Sequence, residues 1–264
     1  LKLKISHSNT YSYDAPVEYA LQQVRLTPVN NKQQTVHAWD VEIEGGKKEL
    51  SFDDHHGNRT FTVSLNPGNS KITVKASGIV ETHDSTGILG LVHGCLPLWH
   101  FKQYTKRTKS GKGIKTLSKI INSSDQLSSL HELSREILSV ASYKKGQTFV
   151  DTIAEDALLL GSGVCQDHAQ IFISATRHAG IPARYVSGYL MMNDRIEQEA
   201  THAWAEAYID KLGWVGFDVS NGISPDERYV RIATGLDSKG ASPISGLRLG
   251  STTESMIVSL QIQQ

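Results

Sequence analysis

Cysteine is scarce in this sequence of 264 residues: only Cys95 and Cys165 are present, far apart and without the spacing of a disulfide framework or a zinc-binding pattern. Their scarcity favours a reducing, cytoplasmic setting. An excess of charge is also lacking, because 27 Lys+Arg balance 27 Asp+Glu. That argues against a globally basic nucleic-acid binder and against an acidic disordered tail. No apolar run approaches the roughly 18 residues that span a bilayer. The longest apolar patches are Ile88–Val92 and Ala157–Leu160. Leu1–Lys4 alternates apolar and basic residues, which predicts a strand rather than the apolar centre of a secretory signal. What remains is ordinary globular material, with 39% hydrophobic residues and 22 glycines, enough for one large or two modest domains.

The first third predicts β-structure. Trp39, Val41 and Ile43 alternate with polar residues, as do Leu50 and Phe52, then Phe61, Val63 and Leu65, then Ile72, Val74 and Ala76. Asn66-Pro67-Gly68-Asn69 supplies a turn between the last two runs. Short strands at regular spacing predict an antiparallel, sandwich-like domain over residues 1–105. His55-His56 beside Asp53-Asp54 lacks metal-ligand spacing and reads as a polar hairpin loop, so no metal is expected. The window 85–124 then carries seven basic residues, from Lys102 to Lys119, and no acidic one. It reads as a solvated basic linker, with the domain junction inside it. His93 and His100, flanking Cys95, Leu96 and Trp99, read as packed rather than ligating.

Helices follow in a second domain, 106–264. Ser129-Leu130-His131-Glu132 has the form of a capping box before an amphipathic run through Leu133, Ile137 and Ala141. Thr152-Ile153-Ala154-Glu155 has the same form, and Gly161 suits a left-handed helix stop. Next, Gly161-Ser162-Gly163-Val164-Cys165-Gln166-Asp167 leads into a helix through Ala169 and Ala179, ended by Gly180 and Pro182. Cys165 therefore begins a helical turn, where unpaired amides and the helix dipole favour a thiolate. The glycines before it leave room for a substrate backbone. Arg184–Leu190 predicts a strand, Met192–Glu199 a connection able to act as a lid, and Thr201–Ile209 another strand. In that strand His202, Trp204, Glu206 and Tyr208 share one face and Ala203, Ala205, Ala207 and Ile209 the other. Trp214–Asp218 returns after a turn at Asp210–Gly213. His202 and Asp218 would lie directly opposite if the turn centred on Asp210; a later centre requires a bulge.

A cysteine at a helix start, followed by a histidine and an aspartate on neighbouring strands, is a specific constellation for nucleophilic catalysis. Four pieces extend it: Gly163-Val164-Cys165-Gln166-Asp167, Gly180–Tyr189, Thr201-His202-Ala203-Trp204-Ala205-Glu206 and Gly213–Asp218. Residues 143–250 thereby resemble the transglutaminase-like superfamily, in the bacterial branch associated with cysteine proteases. The first hundred residues look similar to the β-rich N-terminal region that precedes this core in bacteria. The resemblance implies an α+β, papain-like core in which Cys165 is the nucleophile, His202 the base and Asp218 its orienting carboxylate. Two places depart from the pattern: Val219-Ser220, where relatives commonly have Pro-Thr, and His168 with Gln170, where an aromatic and a His are usual. Both put the pocket lining in question.

The implied chemistry is attack on an amide carbonyl and formation of a thioester acyl-enzyme from a protein or peptide substrate. A free thiol, with pKa ~8.5, needs a neighbouring imidazolium or helix start for this at neutral pH. The oxyanion would rest on the Cys165 N–H and a second donor, for which Gln166 and Tyr143 are candidates; Trp204 is a pocket candidate. Water as acceptor gives a peptidase or amidase, an amine gives a transglutaminase, and an inert site leaves a binding module whose contact surface would be the basic stretch 102–119. No calcium loop of the EF-hand type is present, which favours hydrolysis. No cofactor, nucleic acid or membrane is implied.

Overall fold

In the computed structural model the described residues are 1–15, 17, 19–91, 95–249 and 253–264, with no side-chain description of residue 249. His93 lies outside them. The first half is built of β1 (Lys2–Tyr13), β2 (Tyr19–Thr27), β3 (Gln34–Glu44), β4 (Gly46–Asp53), β5 (Arg59–Leu65) and β6 (Lys71–Thr82), followed by the short β7 (Ile88–Gly90). The second half contains α1 (Lys112–Leu117), α2 (Gln126–Val140), β8 (Ser142–Tyr143), α3 (Ala154–Leu160), β9 (Ser162–Gly163) and α4 (Cys165–His178). The strands β10 (Ala183–Leu190), β11 (Glu197–Gln198), β12 (His202–Ile209), β13 (Gly213–Phe217), β14 (Tyr229–Gly235), β15 (Ile244–Leu249) and β16 (Glu254–Gln263) complete the chain. Among the described residues no helix is long and apolar enough to cross a membrane.

Two sheets, ordered β11-β16-β1-β6-β3 and β15-β2-β5-β4, form the sandwich. β1 alternates buried and exposed positions along its whole length, as a strand with one covered face must. Val24, Leu26 and Val63 from one sheet meet Tyr11, Val41, Ile72 and Val74 from the other in a common core. The last two strands do not stay with the second half. β16 pairs with β1 and β15 with β2, so Ile244–Leu249 and Glu254–Gln263 complete the N-terminal sheets, a departure from the expected division at 106. In the other direction, β7 pairs with β13 and joins the second sheet.

That second sheet, β14-β10-β12-β13-β7, is antiparallel throughout. Its Ala203, Ala205, Ala207 and Ile209 face packs on α4, where Ile171, Phe172 and Ala175 fill the space left by the small residues. Phe172 stacks on Phe217 with centroids 4.9 Å apart. The opposite face meets the sandwich: Tyr189, Val230 and Ile232 pack with Leu3, Ile5, Leu260 and Ile262. Covered on both faces, β10 is buried at every position.

Local start signals misled in two places, and the basic stretch differs in a third way. α2 begins at Gln126, with Asp125 accepting from the Ser128 N–H at 3.2 Å, and Ser129 lies inside the helix with its hydroxyl donating back to the Asp125 carbonyl. Glu155 does not close a box with Thr152. Its carboxylate accepts from the N–H groups of Gly111, Gly113 and Ile114, capping α1 from a distance. The basic stretch is anchored rather than a free linker: its lysines stay exposed, but residues between them are packed. Phe101, Thr108, Ile114 and Leu117 are buried, and the Arg177 guanidinium at the end of α4 donates to the carbonyls of Phe101, Ala183 and Leu236. Gly161, with φ +68°, ends α3 as expected.

The returning strand has a stability consequence. Leu260→Ala, at a buried seam residue, is expected to cost about 2–5 kcal/mol in denaturant unfolding. Ile257→Ala, three residues earlier but exposed, should cost under about 0.5 kcal/mol. Equal effects would contradict the assignment of β16 to the core.

Candidate active site

Cys165 is the first residue of α4, half-buried, after an extended Val164 at the N-cap. The start of the helix is held by Asp167, whose Oδ2 accepts from the Val164 N–H at 2.8 Å and the Thr148 hydroxyl at 2.7 Å. This corrects the reason for one glycine. A Cβ on Gly163 would lie 2.7 Å from the Cβ of Asp167, so the residue is small to admit the cap rather than a substrate. As the first two residues of the helix, Cys165 and Gln166 have no intrahelical acceptor for their N–H groups.

His202 opens β12. The pairing Ala205↔Phe217, Tyr208↔Trp214 and Ile209↔Gly213 places the hairpin centre at Lys211, whose φ is +70°. Asp218 is therefore diagonal to His202 on the same face, not directly opposite, and no bulge restores the register. Contact is made because Asp218 leaves the ladder, forming an isolated bridge with Ile223. His202 Nε2 then donates to Asp218 Oδ2 at 2.6 Å. The same oxygen accepts from Asn221 Nδ2 and from the Tyr229 hydroxyl, both at 2.7 Å. Sequence reasoning missed these last two residues. Asn221 carries the weak signal of a turn three positions after Asp218, whereas Tyr229 arrives on β14 and carries none.

The electrostatics follow from this arrangement. Burial alone would raise Asp218, but the hydrogen bond and charge of His202, with Asn221 and Tyr229, hold it below the usual carboxylate value. Burial pulls the His202 ring down, yet the hydrogen bonds and charges of Asp218 and Cys165 overcome it and raise the ring to about 10. With Nε2 committed to Asp218, Nδ1 is the nitrogen left for Cys165. Cys165 and His202 both line an open cavity of about 700 Å³, with Gln166, Tyr185, Arg107 and Asp237 among the other walls.

The remaining expected residues separate. Trp204 is buried among Val186, Leu190 and Tyr229 and does not line the cavity. It stands behind His202 with near-parallel rings, their centroids 6.4 Å apart. Gly188, paired with His202, makes that possible, because a Cβ there would collide with the Trp204 ring. Gln166 lines the cavity, but its side-chain amide donates to the Val150 carbonyl at 3.2 Å. Tyr143 is half exposed on β8, paired with Gly163 of β9. Its phenol is raised by burial and then by the neighbouring Cys165. The two departures from the family pattern satisfy each other: His168 is buried, its Nδ1 accepting from the Ser220 hydroxyl and its Nε2 donating to the Ala141 carbonyl, both at 2.8 Å. Neither residue lines the cavity, nor do Gln170 and Val219, so the pocket does not inherit the changes. The Met192–Glu199 connection is tied down through Glu197↔Gln261.

A cysteine at a helix start and a histidine held by a buried aspartate thus come together on an α+β, papain-like fold. Comparison with known proteins supplies the family of the core. Residues 115–219 match the transglutaminase-like superfamily, and residues 3–81 match the bacterial transglutaminase-like N-terminal region. A transglutaminase-like core thus follows a bacterial transglutaminase-like N-terminal region along this sequence. An uncharacterized protein of Mycobacterium leprae is 26% identical over 275 residues, spanning 99% of this chain and 98% of its own. An uncharacterized protein of Mycobacterium tuberculosis is 34% identical over 138 residues, 48% of this chain and 44% of its own. The crystal structure of a "Putative Cysteine Protease" from Cytophaga hutchinsonii shares the fold, with a TM-score of 0.77 at 24% identity over 100% of this chain and 91% of that one.

The pair makes stability depend on pH. The raised value of His202 contributes stability that is complete below about 6.5 and lost as pH rises through about 10. The lowered value of Asp218 contributes stability present above 3.8 and lost as pH falls through its folded value. The stability gap between wild type and Asp218→Asn is expected to be widest between about pH 4 and 6.5 and to narrow towards pH 10. Denaturant midpoints across that range provide the measurement, and a gap independent of pH would contradict the pairing.

Proposed function

We propose that the protein hydrolyses peptide or isopeptide bonds through Cys165, His202 and Asp218. The observation that carries this reading is the shared cavity: the sulfur-bearing end of α4 and an imidazole fixed by a buried carboxylate face one solvent-reached space. In the first step the Cys165 sulfur, as thiolate, attacks the amide carbonyl carbon. The oxyanion is held by the Cys165 N–H and by the Tyr143 hydroxyl, which stays protonated because its phenol is raised. His202 gives its Nδ1 proton to the departing nitrogen, the C–N bond breaks and a thioester remains. Water then enters, His202 takes its proton, the thioester C–S bond breaks and the carboxylic acid leaves. Asp218 keeps the ring in one orientation and stabilises its positive charge throughout.

Water rather than an amine is favoured as the acceptor because the cavity is open, with exposed Val150 and Asp151 on its wall. A sheltered channel is what amine transfer needs, since water competes for the thioester.

Cys165→Ala is expected to abolish release of peptide fragments from a substrate library, with wild type giving new termini by mass spectrometry. Tyr143→Phe should lower kcat/KM by about 10²–10³ while iodoacetamide labels Cys165 at the wild-type rate. His202→Ala should slow that labelling markedly at pH 6. A Gln peptide with a labelled amine tests the alternative: amine incorporation exceeding hydrolysis would replace the peptidase reading with a transglutaminase. Unchanged labelling in His202→Ala would reject the catalytic pair altogether.

A further inference from the structure

Three imidazoles meet away from the catalytic cavity. His55 and His56 occupy the turn between β4 and β5, and His100 lies in the 3₁₀ segment Leu98–Lys102, at the other end of a separate stretch of chain. One ring nitrogen from each lies within 4.8 Å of those of the other two. The ring centroids are 4.3 Å apart for His55 and His56, 5.5 Å for His56 and His100, and 6.2 Å for His55 and His100. His55 is exposed, and the other two are half-buried.

A second observation points to a ligand. His56 Nδ1 and His100 Nε2 are shielded from solvent and have no hydrogen-bond partner among the described residues. Buried polar atoms are ordinarily satisfied, and an orphan of this kind calls for an explanation such as an ion. Here two orphans sit in one cluster. The nearby carboxylates are already engaged. Asp54 accepts from Arg25, Asn58 and the His56 N–H, Asp53 pairs with Arg59, and Glu206 neutralises Arg184. Cys95, a free thiol, lines the same cavity, but among the described residues the three imidazoles are the donors that converge.

We propose that His55, His56 and His100 form a binding site for a divalent d-block cation, zinc foremost, with three protein ligands and one open position. Imidazole donors suit zinc and its neighbours rather than magnesium or calcium. Zinc–nitrogen bonds of 2.0–2.1 Å in a tetrahedron bring ligand nitrogens to about 3.3 Å of one another. Reaching that spacing needs only a small closure, and exposed His55 is free to make it. His55 and His56 line a cavity of about 650 Å³, which leaves space for water or an exogenous ligand in the fourth position. The metal would pin the β4–β5 turn of the sandwich to the segment leading into the second half, and it takes no part in the Cys165 chemistry.

The test uses the full chain with Cys165→Ala, so that the catalytic pair cannot hold the ion. Zinc titration by calorimetry and against a chromophoric chelator is expected to show one equivalent bound. Cobalt in its place should give the visible spectrum of a tetrahedral site. His55→Ala and His100→Gln should each weaken binding at least about tenfold, and at one fixed zinc concentration the rise in Tm should be smaller in His55→Ala than in the parent. His55 is exposed, so its variant should keep the metal-free Tm and serve where His100→Gln folds poorly. Absence of stoichiometric binding, unchanged affinity in His55→Ala, or a zinc-induced rise in Tm undiminished in that variant would overturn the proposal.

Discussion

The hydrogen bond from His202 Nε2 to Asp218 Oδ2, 2.6 Å long and almost wholly buried, is the contact on which the arrangement rests. An isolated carboxylate in such a place would be too costly to keep ionised, with a penalty of several kcal/mol. Three donors on one oxygen make it tenable, and they come from β12, from the turn after β13 and from β14. Three segments, two of them strands held apart in the sheet by β10, are thus drawn to a single oxygen. The charge held there keeps the imidazole protonated against the opposing effect of burial.

Everything around this bond limits its freedom. Trp204 backs the imidazole, and Tyr229 both packs edge-on against Trp204, at 5.5 Å, and donates to Asp218. Behind them β10 is covered by α4 on one side and by the sandwich on the other. The sandwich is completed by β15 and β16, so the C-terminal strands brace the second sheet through Leu260 and Ile262. On the Cys165 side, Asp167 fixes the first turn of α4, and Gly163 is small so that this carboxylate can fit.

Much of this was legible in the residues. The alternation of His202, Trp204, Glu206 and Tyr208 against three alanines and Ile209 correctly separates the two faces of β12, because the side-chain period of a strand is fixed by its geometry. The glycine and proline after Ala179 place the end of α4 for a comparable local reason. What escaped was non-local. Glu155 resembles a local cap, yet its carboxylate serves a helix forty residues earlier. The lysines of 102–119 do face solvent, but the apolar residues between them and the carbonyls that Arg177 needs tie the stretch to the core. His55 and His56 lack ligand spacing only along the chain, because His100 is supplied by folding. The diagonal placement of His202 and Asp218 depended on where the turn centred, which Lys211 decides with a left-handed backbone that its sequence does not announce.

The claim that Asp218 holds His202 as an imidazolium is tested most directly by proton NMR. The ring resonance of His202, assigned by its loss in His202→Gln, would be followed from pH 5 to 11 in wild type and in Asp218→Asn. The account predicts a ring that stays protonated through neutrality in wild type, titrating near 10, and that titrates well below this once the carboxylate is replaced. Titration near the ordinary value of 6.5 in both proteins would contradict it.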